Sequence, residues 1–178
     1  MFIDLMRDKS KQMPAIAEPL AVERLRIWHC GYKKLVPVAS YENLRALAIA
    51  TFPDTTLDPL VTLEKLQDLH ILHLPKVSDL EPLTKLTCLE SLELQTLPSW
   101  DASRKRTVIA SLEPLTQITG LKHLSLLGVV PNDRSLAVLE RCKSLVTAIF
   151  HGYPKEEIAR FFAATGIKNA HNPPFYAG

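Results

Sequence analysis

The chain has 178 residues, 47% of them hydrophobic and 22% charged, with a net charge of +2. That is about one folded domain of ordinary composition, which excludes a disordered chain. The longest apolar runs, such as residues 126–131, are too short to span a bilayer as a helix, and a small, scattered charge gives no footprint for nucleic acid.

Two counts stand out: 29 leucines, and 13 prolines against 6 glycines. The opening residues 1–12 are apolar at Phe2, Ile3, Leu5 and Met6. They read either as an N-terminal cap or as a disordered arm. An acid at Asp4 and the lack of a long apolar core do not suit a secretion signal. From about Met13 to Tyr153 the chain repeats itself. Five ten-residue windows follow the pattern L-x-P-L-x-x-L-x-x-L: residues 35–44, 57–66, 80–89, 112–121 and 136–145, with a weaker first copy at 13–22. Each runs into an L-x-x-L-x-L triplet: Val22/Leu25/Ile27, Leu44/Leu47/Ile49, Leu66/Leu69/Ile71, Leu89/Leu92/Leu94, Leu121/Leu124/Leu126 and Leu145/Ala148/Phe150. The triplets start 22, 22, 23, 32 and 24 residues apart.

The two halves of each unit have different periods. Residues two apart, such as Leu92 and Leu94, share one face of a strand. Residues three apart, such as Leu80, Leu83, Leu86 and Leu89, line up in a 3₁₀ turn or on one stripe of a short α-helix. Pro59, Pro82 and Pro114 sit early in that segment, where a helix start tolerates a missing N–H. Each unit is therefore a strand, a turn and a short helical return, and stacking would place the strands parallel. The 32-residue step marks an insertion near residues 98–107, which brings Trp100 together with Arg104, Lys105 and Arg106. It either folds back on the core edge or forms a finger that touches a partner. Residues 154–178 read as a cap helix and tail. Pro154, Glu156 and Glu157 open the helix, Ile158, Phe161 and Phe162 supply its apolar stripe, and Gly166 ends it; Ile167 to Ala170 could add an edge strand.

This pattern resembles the leucine-rich repeat family, in its short 22-residue form found in bacterial internalins and SDS22-like phosphatase regulators. The resemblance implies an α/β solenoid of about six repeats plus a C-terminal helical cap. A parallel β-sheet would form the concave side and short α or 3₁₀ segments the convex side. One departure concerns the asparagine or cysteine that the family carries three positions past the L-x-L. Here those positions hold Cys30, Phe52, Leu74, Leu97, Val129 and Tyr153, so the turn backbone needs other hydrogen-bond partners.

Strand alternation assigns the outward residues in columns. One holds Arg26, Ala48, His70, Glu93, Ser125 and Ile149; the next holds Trp28, Ala50, Leu72, Gln95, Leu127 and His151. Trp28, Leu72 and Leu127 are large apolar groups on a face that solvent alone would not favour. Ala46, Ala48 and Ala50 suggest a shallow depression. Five histidines (His29, His70, His73, His123, His151) fall on these outward or strand-exit positions, as half-exposed strand residues or as pH-sensitive contacts. They lack the carboxylate or cysteine that would complete a metal site. Cys30, Cys88 and Cys142 read as buried apolar residues, and their odd number suits a reducing, cytoplasmic compartment. No nucleophile–base pair or phosphate loop is legible.

The expected function is non-enzymatic: binding of a partner protein, without cofactor, nucleic acid or membrane. Arg26, Trp28, His70, Leu72, Glu93 and Gln95 would be the central contacts, with Trp100 and Arg104 at the rim. Adaptor, inhibitor or immunity-type roles fit equally. The alternatives are a self-associating scaffold or a secreted bacterial effector that binds a host protein; a monomer is slightly favoured.

Overall fold

The helical returns show how sequence becomes geometry. In the computed structural model, which describes residues 1–103 and 105–170, the five leucine windows form 3₁₀ turns: Val36–Ser40, Asp58–Leu60, Glu81–Lys85, Glu113–Gln117 and Ala137–Arg141. The sequence period of three is also the hydrogen-bond period. Leu83 N–H donates to Leu80 C=O, Leu86 to Leu83 and Leu89 to Leu86, at 3.0, 3.0 and 3.1 Å. The same three-step chain of bonds recurs from Leu35 to Leu44, Leu57 to Leu66, Leu112 to Leu121 and Leu136 to Leu145. Side chains at i and i+3 eclipse in such a turn, so every leucine of the window points the same way. Proline falls in the first two positions of four of these turns, where its missing N–H costs nothing.

Between the turns run the strands β1 (Phe2–Met6), β2 (Arg24–Trp28), β3 (Ala46–Ala50), β4 (Asp68–Leu72), β5 (Ser91–Gln95), β6 (Thr107–Ile109), β7 (His123–Leu127), β8 (Val129–Pro131), β9 (Thr147–His151) and β10 (Lys168–Asn169). The helices are α1 (Pro98–Ala102) and α2 (Lys155–Thr165). One parallel sheet has the order β1-β2-β3-β4-β5-β7-β9-β10; β6 and β8 form a separate parallel pair. Register follows the repeat: Leu25 pairs with Leu47, Leu47 with Leu69, Leu69 with Leu92, Leu92 with Leu124, and Leu124 with Ala148. All six triplets are buried in one continuous apolar cluster with the leucines of the 3₁₀ turns. Strand residues and turn residues thus fill a single column from opposite sides.

The ends differ. At the C-terminal end, α2 carries two acids in its first turn, stops at left-handed Gly166 and buries Phe161 against Phe150 at a ring distance of 5.2 Å. Glu157 ties the helix to the last repeat by accepting a bond from Leu136 N–H, and Arg160 bridges Glu157 and Glu140. At the other end, residues 2–6 join the sheet as β1, with Ile3 beside Leu25 and Leu5 beside Ile27. No helix covers them among the described residues, and both are only partly buried. The sequence offers two readings of this segment, cap or arm; the structure makes it a further rung of the sheet.

The turn after each strand solves the missing asparagine. Arg7, His29, Thr51, His73, Gly128 and Gly152 have φ between 53° and 94°, a left-handed conformation at the same step of successive units. At this step the N–H still completes the strand ladder: Arg7 donates to Trp28 C=O, Thr51 to Leu72, His73 to Gln95 and Gly128 to His151, at 2.7 to 2.9 Å, and the positive φ turns the chain that follows out of the strand. Thr96 makes the corresponding bond to Leu127 without a positive φ. The backbone therefore satisfies itself, and the next position is free to be apolar. Phe52, Leu74, Val129 and Tyr153 are buried there, and Tyr153 Oη donates to Val129 C=O at 2.9 Å.

Candidate binding surface

The outward columns sit as strand alternation requires. Asp4, Arg26, Ala48, His70, Glu93, Ser125 and Ile149 are neighbours across seven strands, as are Met6, Trp28, Ala50, Leu72, Gln95, Leu127 and His151. Asp4 was not singled out from the sequence as a member of this face. Its signal is the Ile3-x-Leu5 doublet, which sets the same alternation as the later strands but lacks a leucine window before it.

In these columns Trp28, Leu72, Leu127, Arg26, Gln95 and Ile149 are half-buried, and Asp4, Met6 and His151 are exposed. Arg26 is ion-paired with Asp4, its Nε 2.9 Å from Oδ1. His70 and Glu93 are only 8% and 7% exposed, so they offer a partner little area of their own. The alanine depression is absent as open space, because Ala46, Ala48 and Ala50 are at most 1% exposed. The reason is steric. The short side chains of β3 lie between longer ones on β2 and β4, and Trp28 reaches across to His70 with ring centroids 6.0 Å apart.

Burial shapes the electrostatics of this centre. Glu93 lies beside His70 (3.9 Å), accepts a hydrogen bond from the Gln95 amide and shares the face with Asp68. Desolvation, with the Asp68 charge second, pushes the Glu93 carboxyl up to about 7. Further along, His123 Nδ1 meets Thr147 Oγ1 at 2.8 Å, and burial lowers the histidine's pKa.

The insertion is a short helix followed by a strand. Trp100, on α1, is half-buried with its ring 4.7 Å from that of His73, and Lys105 Nζ lies 5.9 Å from the indole centroid. Trp100 thus packs at the strand-exit edge, apart from the Trp28 cluster. The His73 imidazole beneath it is buried, which lowers its pKa. Arg104 and the tail 171–178 lie outside the described residues. After the helix, β6 pairs with β8 and buries Ile109.

The cysteines divide. Cys142 is buried, with its pKa pushed up to about 11 by desolvation, and Cys30 is half-buried with its thiol 3.2 Å from Leu5 C=O. Cys88, expected to be buried, is exposed. It follows Thr87 just past the 3₁₀ turn, on the two-residue gap between inward leucines. Among the described residues, no three His, Cys, Asp or Glu side chains are placed to hold a metal ion.

No family model and no curated protein matches the sequence. Solved structures do. An internalin (InlF) from Listeria monocytogenes is 18% identical, with a TM-score of 0.50 over 86% of this chain and 49% of its own. Internalin C2 from the same organism is 18% identical, with a TM-score of 0.52 over 84% of this chain and 70% of its own. The functional domain of L. monocytogenes InlJ, described as including a cysteine ladder, is 17% identical, with a TM-score of 0.54 over 76% of this chain and 28% of its own. The chain therefore spans about half the length of the first of these and less than a third of InlJ. With its parallel register, its 3₁₀ returns and this likeness in fold, the chain is a leucine-rich repeat solenoid with short repeats, similar in fold to the internalins.

Proposed function

We propose that the chain is a non-enzymatic module that binds a partner protein across the concave face of its main sheet. The observation that carries this reading is the half-exposed apolar set Trp28, Leu72 and Leu127, in one column and rimmed by Arg26, Gln95 and His151. A wide, stiff, parallel-stranded surface limits the ordering cost of association, and a central aromatic with a polar rim is how protein contacts concentrate their energy. A cleft lined by Ala110, Glu113, Pro131, Asp133 and Val138 lies off this face. Trp100 extends the surface at the strand-exit edge. The free thiols of Cys30, Cys88 and Cys142 support a reducing compartment for this work.

The test is to isolate the protein that the wild-type chain retains from its native cells and titrate it against Trp28→Ala and Leu72→Ala. Both variants should keep near-native unfolding curves and lose about 1–3 kcal/mol of affinity. Wild-type affinity in both would retire the concave face as the contact.

A further inference from the structure

The two edges of the main sheet are treated differently. The C-terminal edge, β10, is two residues long, carries Lys168 and sits next to the α2 cap. Short, charged edges discourage further pairing. The N-terminal edge, β1, has five residues with no proline, lysine or bulge, and among the described residues nothing pairs with its outer side. Phe2 and Met6 are 43% and 50% exposed, and Ile3 and Leu5 close the core only partly.

We infer that β1 is a self-association edge, on which a second copy of this chain pairs antiparallel about a two-fold axis through Asp4. Three observations fit this occupant. First, the backbone groups are correctly disposed. Met1 C=O accepts from Arg24 N–H and Arg7 N–H donates to Trp28 C=O, so the odd positions of β1 face β2. Phe2, Asp4 and Met6 then turn their N–H and C=O groups to the open edge. In an antiparallel pair centred on Asp4, Phe2 meets Met6 of the second copy, Asp4 meets Asp4, and Met6 meets Phe2. All three are hydrogen-bonded pairs, which gives about six interchain bonds. Second, the strand is a palindrome in polarity, Phe-Ile-Asp-Leu-Met, so Ile3 faces Leu5 and the half-covered core ends meet each other. Third, the charges balance. Each Asp4 already carries its Arg26, so the axis crosses a row Arg26–Asp4–Asp4–Arg26 with no net charge. A two-fold pairing of this kind is closed and ends growth at two copies, the other edge being blunted.

The experiment is sedimentation of the full chain across concentration, with Met6→Pro as the probe. Proline at this position removes only an outward N–H, so the β1–β2 bonds survive while pairing is blocked. The wild-type chain should show a concentration-dependent monomer–dimer equilibrium, weakened at least about tenfold by Met6→Pro. The double variant Phe2→Lys/Met6→Lys should do the same through charge and lost apolar contact. Hydrogen exchange on the unmutated chain gives a readout free of variants: the amides of Phe2, Asp4 and Met6 should gain protection as concentration rises. A wild-type chain monomeric throughout, or a dimer that survives both substitutions, overturns the inference. Leu72→Ala, which tests the concave face, should leave this dimer intact, so the two readings fail separately.

Discussion

Thr51 is a β-branched residue held at φ 70°, where its side chain crowds the backbone. It stays there because the chain turns out of the strand at this step, which carries Phe52 into the core and lets Phe52 N–H reach His73 C=O at 2.9 Å. Two later units use glycine at this step, and Gly128 could use little else: a Cβ there would lie 2.3 Å from Thr96 Oγ1. Thr51 is exposed, so replacing it by glycine removes strain without opening a cavity. Relief of about 1–2 kcal/mol, less the larger entropy glycine has in the unfolded chain, should leave Thr51→Gly about 0.5–1 kcal/mol more stable. A lower urea midpoint for this variant would show that the left-handed step is not strained. Glu93 makes a prediction of opposite character. Its carboxyl titrates near 7 in the folded chain but near its ordinary value of 4.5 when unfolded. Between those values the unfolded chain holds fewer protons than the folded one. The Glu93 contribution to stability therefore falls as pH rises from about 4.5 to 7 and is flat beyond, while His73 and His123, lowered by burial, contribute in the opposite sense below about 6.5. Glu157 acts in a separate window. Arg160 holds its carboxyl down to about 2, so its contribution is lost only as pH falls below 4.5. Glu93→Gln should remove this contribution between pH 4.5 and 7, which is on the order of 3 kcal/mol by linkage. If the variant's pH profile of urea unfolding overlaid the wild type, the Glu93 assignment would fall. What the sequence hid at this scale is direction and reach. Alternation places Ala48 and His70 on the outer face, but only the reach of the longer side chains on β2 and β4, the Trp28 ring among them, decides that the alanines are covered.

At the scale of elements, legibility follows from how local the determining interactions are. The 3₁₀ turns were readable because the leucine spacing equals the bond spacing, and both are set within ten residues. The strands were readable because each L-x-L doublet recurs at a near-constant step, and a stack with one register buries every copy. The insertion announced its position through the 32-residue step but not its form. Its strand β6 has three residues and, among the described residues, pairs only with β8, which follows β7 by one residue; neither has a pattern of its own. Such short strands are created by the partner, not by propensity. The left-handed ladder was illegible for a related reason. His29, Thr51 and His73 are poor sequence signals for positive φ, and glycine appears at this step only in the later units. β1 falls between these cases, because its doublet is legible but the leucine window that marks the other strands is missing before it.

For the whole molecule, stability runs along one axis, because each unit packs mainly on its neighbours, with the Trp28–His70 contact across β3 an exception. The two ends then decide where opening begins. At the C-terminal end, Phe150, Tyr153, Phe161 and Phe162 form a ring cluster under α2, so removing β9 would expose aromatic area already withdrawn from water. At the N-terminal end, β1 is held by its bonds to β2, by the Asp4–Arg26 pair and by Tyr32 Oη donating to Asp8, while Ile3 and Leu5 remain half in solvent. Burying less apolar surface per residue, this end should open with the lowest free energy. Native-state hydrogen exchange on a dilute, monomeric sample should therefore show protection rising from β1 through β2 and β3, reaching its maximum at β4, β5 and β7, and staying high through β9. The inner amides of β1, those of Ile3 and Leu5, should exchange by local peeling that is insensitive to low urea, whereas those of Leu92 and Leu94 should require global unfolding. Equal protection of Ile3 and Leu92 would mean that the stack opens as one unit and that its ends do not differ in strength.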